Sequence, residues 1–131
     1  MKICIVIANY YPKISNDLLK SAIKVLKEHK IKNYKSFFVP GIFEIPYVIS
    51  KNINSYDAFI ALGCVIKGKT PHFNLISTAT TNAIMHLSIT FRKPVANGII
   101  TCFNKKQALK RSNPKKNNKG KEAAKAVLSI L

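Results

Sequence analysis

Residues 57–73 read Asp57-Ala58-Phe59-Ile60-Ala61-Leu62-Gly63-Cys64-Val65-Ile66-Lys67-Gly68-Lys69-Thr70-Pro71-His72-Phe73. From Ala58 to Ile66 the run is apolar without the polar alternation of a half-exposed strand, which predicts a strand covered on both faces. It breaks at a glycine set between two lysines. Thr70 then stands in N-cap position, Pro71 at the first helical position and His72 one residue later. Phe73, Ile76, Ala79, Thr80, Ala83, Ile84 and Leu87 follow on one face of a helix that runs to about Thr90. A helix start of this kind presents unpaired backbone N–H groups and the positive end of the macrodipole, a place that suits an anion, phosphate above all. A titratable imidazole sits on its lip.

Working outward, the same strand-then-helix alternation continues on both sides. Lys2 to Ala8 is another fully apolar strand, ending in the loop Asn9-Tyr10-Tyr11-Pro12. Ser15-Asn16-Asp17 offers N-cap chemistry for a helix with Leu18, Leu19, Ala22, Ile23, Val25 and Leu26 at helical spacing, reaching about Lys30. Tyr34 to Val39 predicts a second strand, stopped by Pro40-Gly41, and Ile42 to Ile49 a second helix with Pro46 tolerable only near its first turn. Downstream, Pro94 to Ile100 predicts a fourth strand, with proline at the residue where a missing donor costs least. Asn104 caps a short helix to about Arg111, and a polar loop, Ser112 to Gly120, precedes a last helix with Ala123, Ala124, Val127 and Leu128 inward. Alternating strands and helices of these lengths predict an α/β fold: a three-layer α-β-α sandwich on a four-stranded parallel sheet, flavodoxin-like, in a single domain spanning residues 1–131.

Composition narrows the function classes. With 47% apolar residues and no 18-residue apolar run, a globular protein with no membrane span is expected. Met1 leads directly into an apolar run too short for a signal segment, and Cys4, Cys64 and Cys102 are isolated, without metal spacing, inside strand-like runs; a cytoplasmic protein is expected. The net charge is +17, from 22 Lys and Arg against 5 Asp and Glu. A polyanion partner would account for it. Only Arg92 and Arg111 are arginine, however, whereas specific nucleic-acid readers lean on arginine forks and stacking aromatics. Lys20, Lys24, Lys27 and Lys30 fall along a helix as a solvated face does, so the charge is attributed to composition rather than to a specific nucleic-acid role.

In such a sheet, ligands bind outside the carboxyl ends of the strands. Those ends carry Asn9-Tyr10-Tyr11, then Pro40 to Glu44, then Ile66 to His72, then Asn97 with Thr101-Cys102-Phe103. Glu44, an acid in an apolar segment, is either a partner for a ligand or a helix N-terminal charge. Tyr10 either stacks on a planar ligand or fills a loop. His72, in the first turn of a helix, is suited to exchanging protons near neutral pH; as an alternative it caps the helix at the surface. His29 and His86 lack such company and are taken as structural. Arg111, in the last turn of its helix, suits either the dipole or a phosphate.

Three segments carry a resemblance: Val39-Pro40-Gly41-Ile42-Phe43-Glu44-Ile45-Pro46, Ala61 through Phe73, and Asn118-Lys119-Gly120. With Asn16-Asp17-Leu18-Leu19 ahead of the first long helix, they closely resemble the 6,7-dimethyl-8-ribityllumazine synthase family, in matching order over nearly the whole chain. That resemblance implies condensation of 5-amino-6-(D-ribitylamino)uracil with 3,4-dihydroxy-2-butanone 4-phosphate, without metal or other cofactor. By motif it implies that Tyr10 stacks on the pyrimidine. Ile42, Phe43 and Glu44 then line the ribityl chain and ring, and the Cys64, Val65 and Ile66 backbone contacts the ring. Lys69 and Thr70 hold the phosphate with Arg111 as clamp, His72 moves protons, and Lys119 reaches a neighbouring subunit's site. The sequence departs from the family pattern at Asn97, where an aromatic usually lines the uracil site, at Tyr10 in place of the commoner phenylalanine, and in the loop Ser112 to Asn117, which is not Gly-rich. It also starts at the first core strand, without the preceding segment that in the family adds to a neighbour's sheet. A homopentamer is therefore expected, with a larger assembly as the alternative.

Overall fold

The computed structural model describes residues 1–131. Four strands, β1 (Ile3–Ala8), β2 (Tyr34–Val39), β3 (Ala58–Ile66) and β4 (Val95–Cys102), alternate with α1 (Pro12–Glu28), α2 (Ile45–Lys51), α3 (His72–Phe91), α4 (Lys105–Ser112) and α5 (Lys119–Ile130). The sheet order is β2-β1-β3-β4, every pair parallel, with Ile3 beside Tyr34 and Ala58, and Val65 beside Thr101. This is the flavodoxin-like three-layer sandwich that the alternation predicts. The central strands β1 and β3 are buried on both faces, which is why they read as unbroken apolar runs.

The pleat sends alternate side chains to two cores. Ile3, Ile5 and Ile7 of β1 and Ile60 and Leu62 of β3 meet Leu18, Ala22 and Leu26 of α1, Ala108 of α4 and Ala124 and Val127 of α5. Cys4, Val6, Phe59 and Ala61 meet Ile45 and Ile49 of α2 and Ile84 of α3 on the other side. The two helix layers differ in charge. Across α3 there is no Lys, Arg, Asp or Glu, while α1, α4 and α5 each carry several lysines.

Helix starts differ from the sequence expectation in four places. α1 begins at Pro12, with extended Tyr11 as N-cap, because a first-turn proline supplies the helical φ and needs no hydrogen-bond acceptor. Ser15 is thereby inside the helix, where its buried hydroxyl donates to the Ala8 carbonyl at 2.6 Å, and Asp17 pairs with Lys13 at 2.9 Å. α3 begins at His72 with Pro71 as N-cap, and the Thr70 hydroxyl accepts only a long 3.4 Å bond from the His72 N–H. α5 begins at Lys119, because Asn118 caps it by accepting from the Lys121 N–H at 3.0 Å. Ile42–Glu44 forms a 3-10 turn leading into α2 rather than the first turn of a single helix. Asn104 caps α4 as predicted, accepting from the Gln107 N–H at 2.9 Å.

β4 continues two residues past Ile100, to Cys102, and brings its backbone against β3 closely enough that a Cβ on Gly98 would lie 2.5 Å from Leu62 Cδ2 and 2.9 Å from the Ala61 carbonyl. Asn97 is therefore inside the edge strand β4, paired with Ala61, and not beyond its end.

Candidate active site

The carboxyl ends of β1 and β3, the turn after β2 and the first turns of α3 surround one cavity of about 880 Å³. Its floor is apolar and each wall is positioned by backbone geometry. The Asn9 N–H donates to the Val39 carbonyl at 2.8 Å and Ser15 holds the Ala8 carbonyl, so the β1 exit is pinned and Tyr10 projects outward, 71% exposed. Tyr11 packs beneath it edge-on, ring centroids 4.9 Å apart. Burial, followed by the nearby Cys64, Tyr10 and Cys102, raises the Tyr11 phenol above its usual range.

On the β2 side, one Glu44 carboxylate oxygen accepts the Gly41 N–H at 2.9 Å and closes the Gly41–Glu44 turn. That oxygen answers part of what the acid does: it shapes the turn. Glu44 has no cationic partner, since the chain's single ion pair joins Lys13 to Asp17. A half-buried carboxylate with a spare oxygen on a cavity wall is a ready acceptor for hydroxyl donors. Phe43, beside it, is 64% exposed at the mouth.

Cys64, Val65 and Ile66 form the β3 wall. Burial pushes the Cys64 thiol up to about 12, with adjacent Cys102 adding to the shift, so the sulfur stays protonated at neutral pH and is unsuited to nucleophilic attack. His72 completes the cavity at the first residue of α3, with its ring exposed and free of hydrogen bonds within the chain. Leu75, Ile76 and Ala79 continue the same wall at helical spacing from His72.

Of the residues singled out from sequence, Tyr10, Ile42, Phe43, Glu44, Cys64, Val65, Ile66 and His72 thus come together. Lys69 and Thr70 lie exposed in the loop before α3 and do not line the cavity. Arg111 and Lys119 line a second cavity of about 280 Å³ at the β4 edge, with Thr101, Asn117 and Glu122, and the two cavities share no residue. Arg111 is aimed there by its Nη1, which donates to the Thr101 carbonyl at 3.2 Å. Asn97, exposed on the same edge strand, turns its side-chain oxygen to the Ile99 N–H at 3.0 Å. Tyr11, Leu75, Ile76 and Ala79 also line the cavity and were not read from sequence as ligand contacts: Tyr11 was named only in the loop after β1, and Ile76 and Ala79 only on the apolar face of α3. The last three were accessible through their spacing from His72, whereas Tyr11 differs from Tyr10 only in which way its ring turns.

The family model for 6,7-dimethyl-8-ribityllumazine synthase matches residues 1–131. The chain belongs to this family. It is 40% identical to the 6,7-dimethyl-8-ribityllumazine synthase of Bartonella tribocorum over 132 residues, covering 98% of this chain and 87% of that relative. It is 39% identical to 6,7-dimethyl-8-ribityllumazine synthase 1 of Rhodopseudomonas palustris, covering 99% and 83% of the two chains. The enzyme of the same name from Ruthia magnifica is 34% identical, again covering 99% and 83%. No three His, Cys, Asp or Glu side chains of this lumazine synthase family member converge on one point. No helix is long and apolar enough to cross a membrane.

Proposed function

We propose that this chain, folded as one domain, condenses 5-amino-6-(D-ribitylamino)uracil with 3,4-dihydroxy-2-butanone 4-phosphate to 6,7-dimethyl-8-ribityllumazine, releasing phosphate and water. The observation that carries this reading is the cavity joining Tyr10, Phe43, Glu44, the Cys64–Ile66 strand end and His72 in a chain matched by the family model from end to end. Tyr10 and Phe43 present aromatic faces for a pyrimidine. Glu44 takes ribityl hydroxyls, and the backbone of Cys64 to Ile66 meets the ring edge. The amine attacks the ketone, and water leaves as the imine forms, with His72 relaying the proton. Phosphate then departs by elimination, its charge met by cationic side chains and helix-start N–H groups. Ring closure follows. The substrates carry their own nucleophile and leaving group, so positioning supplies much of the rate and no enzyme nucleophile is needed, in keeping with a Cys64 thiol held near 12.

Lys69, Thr70, Arg111 and Lys119 are assigned to the phosphate, and Asn97 to the uracil wall. Because the Arg111–Lys119 cavity shares no residue with the His72 cavity, each site is completed by a neighbouring copy, in a homopentamer located in the cytoplasm. Exposed Leu75, Met85 and Ile89 on the uncharged α3 support an interface there. Mixing the purified protein with both substrates should yield fluorescent lumazine; product formation no faster than in buffer at neutral pH would overturn the assignment.

A further inference from the structure

Resting on that functional reading, we infer that Asn118 is a positioning residue, one that fixes the spacing of Arg111 and Lys119 without touching substrate. Its side chain is wholly buried, an unusual place for an amide, and every polar atom of it is used. Nδ2 donates to the Ser112 carbonyl at 2.6 Å and lies 3.4 Å from the Asp17 carbonyl, while Oδ1 accepts the Lys121 N–H at 3.0 Å. One side chain therefore ties the end of α4, the first half of α1 and the start of α5. Ser112 directly follows Arg111 and Asn118 directly precedes Lys119, so the 2.6 Å bond sets the distance between the two cations across residues 113–118.

The intervening loop is closed locally: the Lys115 N–H donates to Asn113 Oδ1 at 3.0 Å, the Lys116 N–H to the Asn113 carbonyl at 3.1 Å and the Asn118 N–H to the Lys116 carbonyl at 2.9 Å, bonds that all stay within residues 113–118. Pro114, Lys115, Lys116 and Asn117 are exposed, and Lys115 and Lys116 add repulsion between neighbours. The start of α5 is pressed against α1 so closely that a Cβ on Gly120 would lie 2.3 Å from the Leu18 carbonyl. With α5 seated in this way, the hydrogen bond from the Asn118 side-chain amide to the Ser112 carbonyl ties the loop's two ends together, in the arrangement in which Arg111 and Lys119 open on a common cavity with Thr101 and Glu122. Loss of the tie leaves both cations present but free to drift apart, which weakens binding of a dianion more than any proton transfer at His72.

The substitution Asn118→Ser separates the roles, because serine still caps α5 but cannot span to the Ser112 carbonyl. In the intact protein this variant should raise KM for the butanone phosphate about tenfold, with kcat within threefold of wild type. Its KM for the pyrimidine and its oligomer size should not change. Asn104→Ala, which removes the cap of α4 at its far end, serves as the control for lost stability and should lower Tm with KM unchanged. Asn118→Ser with an unaltered KM, or Asn104→Ala with the same KM rise, would overturn the assignment. A wild-type protein without activity in the same assay would instead overturn the functional reading on which it rests.

Discussion

His72 is the residue whose chemistry is most exposed to test. Its ring is free of partners within the chain and stands on the cavity rim, so His72→Ala should leave Tm and substrate KM nearly intact while lowering kcat by roughly ten- to a few hundredfold. A kcat within twofold of wild type would remove it from proton transfer. The buried thiols make a different prediction. Burial, opposed in part by Lys35, pushes Cys4 from 9.0 up to about 12, and Cys64 is raised as far. Well below pH 9 both thiols are protonated in folded and unfolded chains alike. Above it the unfolded chain releases those protons first, so stability should fall as pH rises from 9 towards 12. Comparing Tm at about pH 8 and about pH 10.5 checks this, and Cys4→Ala should flatten the slope by its share. At this scale residue types were legible in the sequence, but directions were not. Glu44 stood out as an acid among apolar residues, yet nothing in the sequence said that one oxygen would be taken by the Gly41 N–H. Lys69 and Thr70, given to the phosphate by the family resemblance, are exposed in the loop before α3 and do not line the His72 cavity.

At the scale of elements, the strands β1 and β3 could be read directly, since burial on both faces forces the unbroken apolar runs that sequence displays. Helix starts were harder. Several residues within a few positions can cap, and tertiary contacts choose among them: Ser15 was withdrawn from capping by its bond to the Ala8 carbonyl, and Pro12 took over the start of α1. The Arg111–Lys119 cavity was legible only as two separate basic residues, because α4 and α5 meet through a buried asparagine rather than through any sequence pattern. Two substitutions act at this level. Arg111→Ala should raise KM for the phosphate substrate and spare kcat; unchanged kinetics would remove it from the site. Gly98→Ala should destabilise the fold by about 1–3 kcal/mol, as overpacking does, because its Cβ would meet Leu62 and the Ala61 carbonyl at the β3–β4 seam. Chemical denaturation measures that loss.

For the whole molecule, the distribution of charge and the division of the cavities point the same way. Of a net +17, none resides on α3, whose outer face instead exposes Leu75, Met85 and Ile89. A face without charge, next to a cavity that lacks the cations assigned to its substrate, is what an interface between copies requires. Sedimentation of the purified protein should give a pentamer, and Ile89→Lys, placing a charge on that face, should dissociate it; a wild-type monomer with full activity would refute the assembly. The central claim, that each site is assembled from the His72 half of one subunit and the Arg111 half of the next, has a direct measurement. His72→Ala and Arg111→Ala subunits, separately impaired, are unfolded together, refolded as mixed rings and assayed for lumazine at low phosphate substrate. Recovery is expected to reach roughly a quarter of wild-type activity, the share of interfaces that join two intact halves in randomly mixed closed rings. Activity no higher than the average of the two separate variants would contradict it.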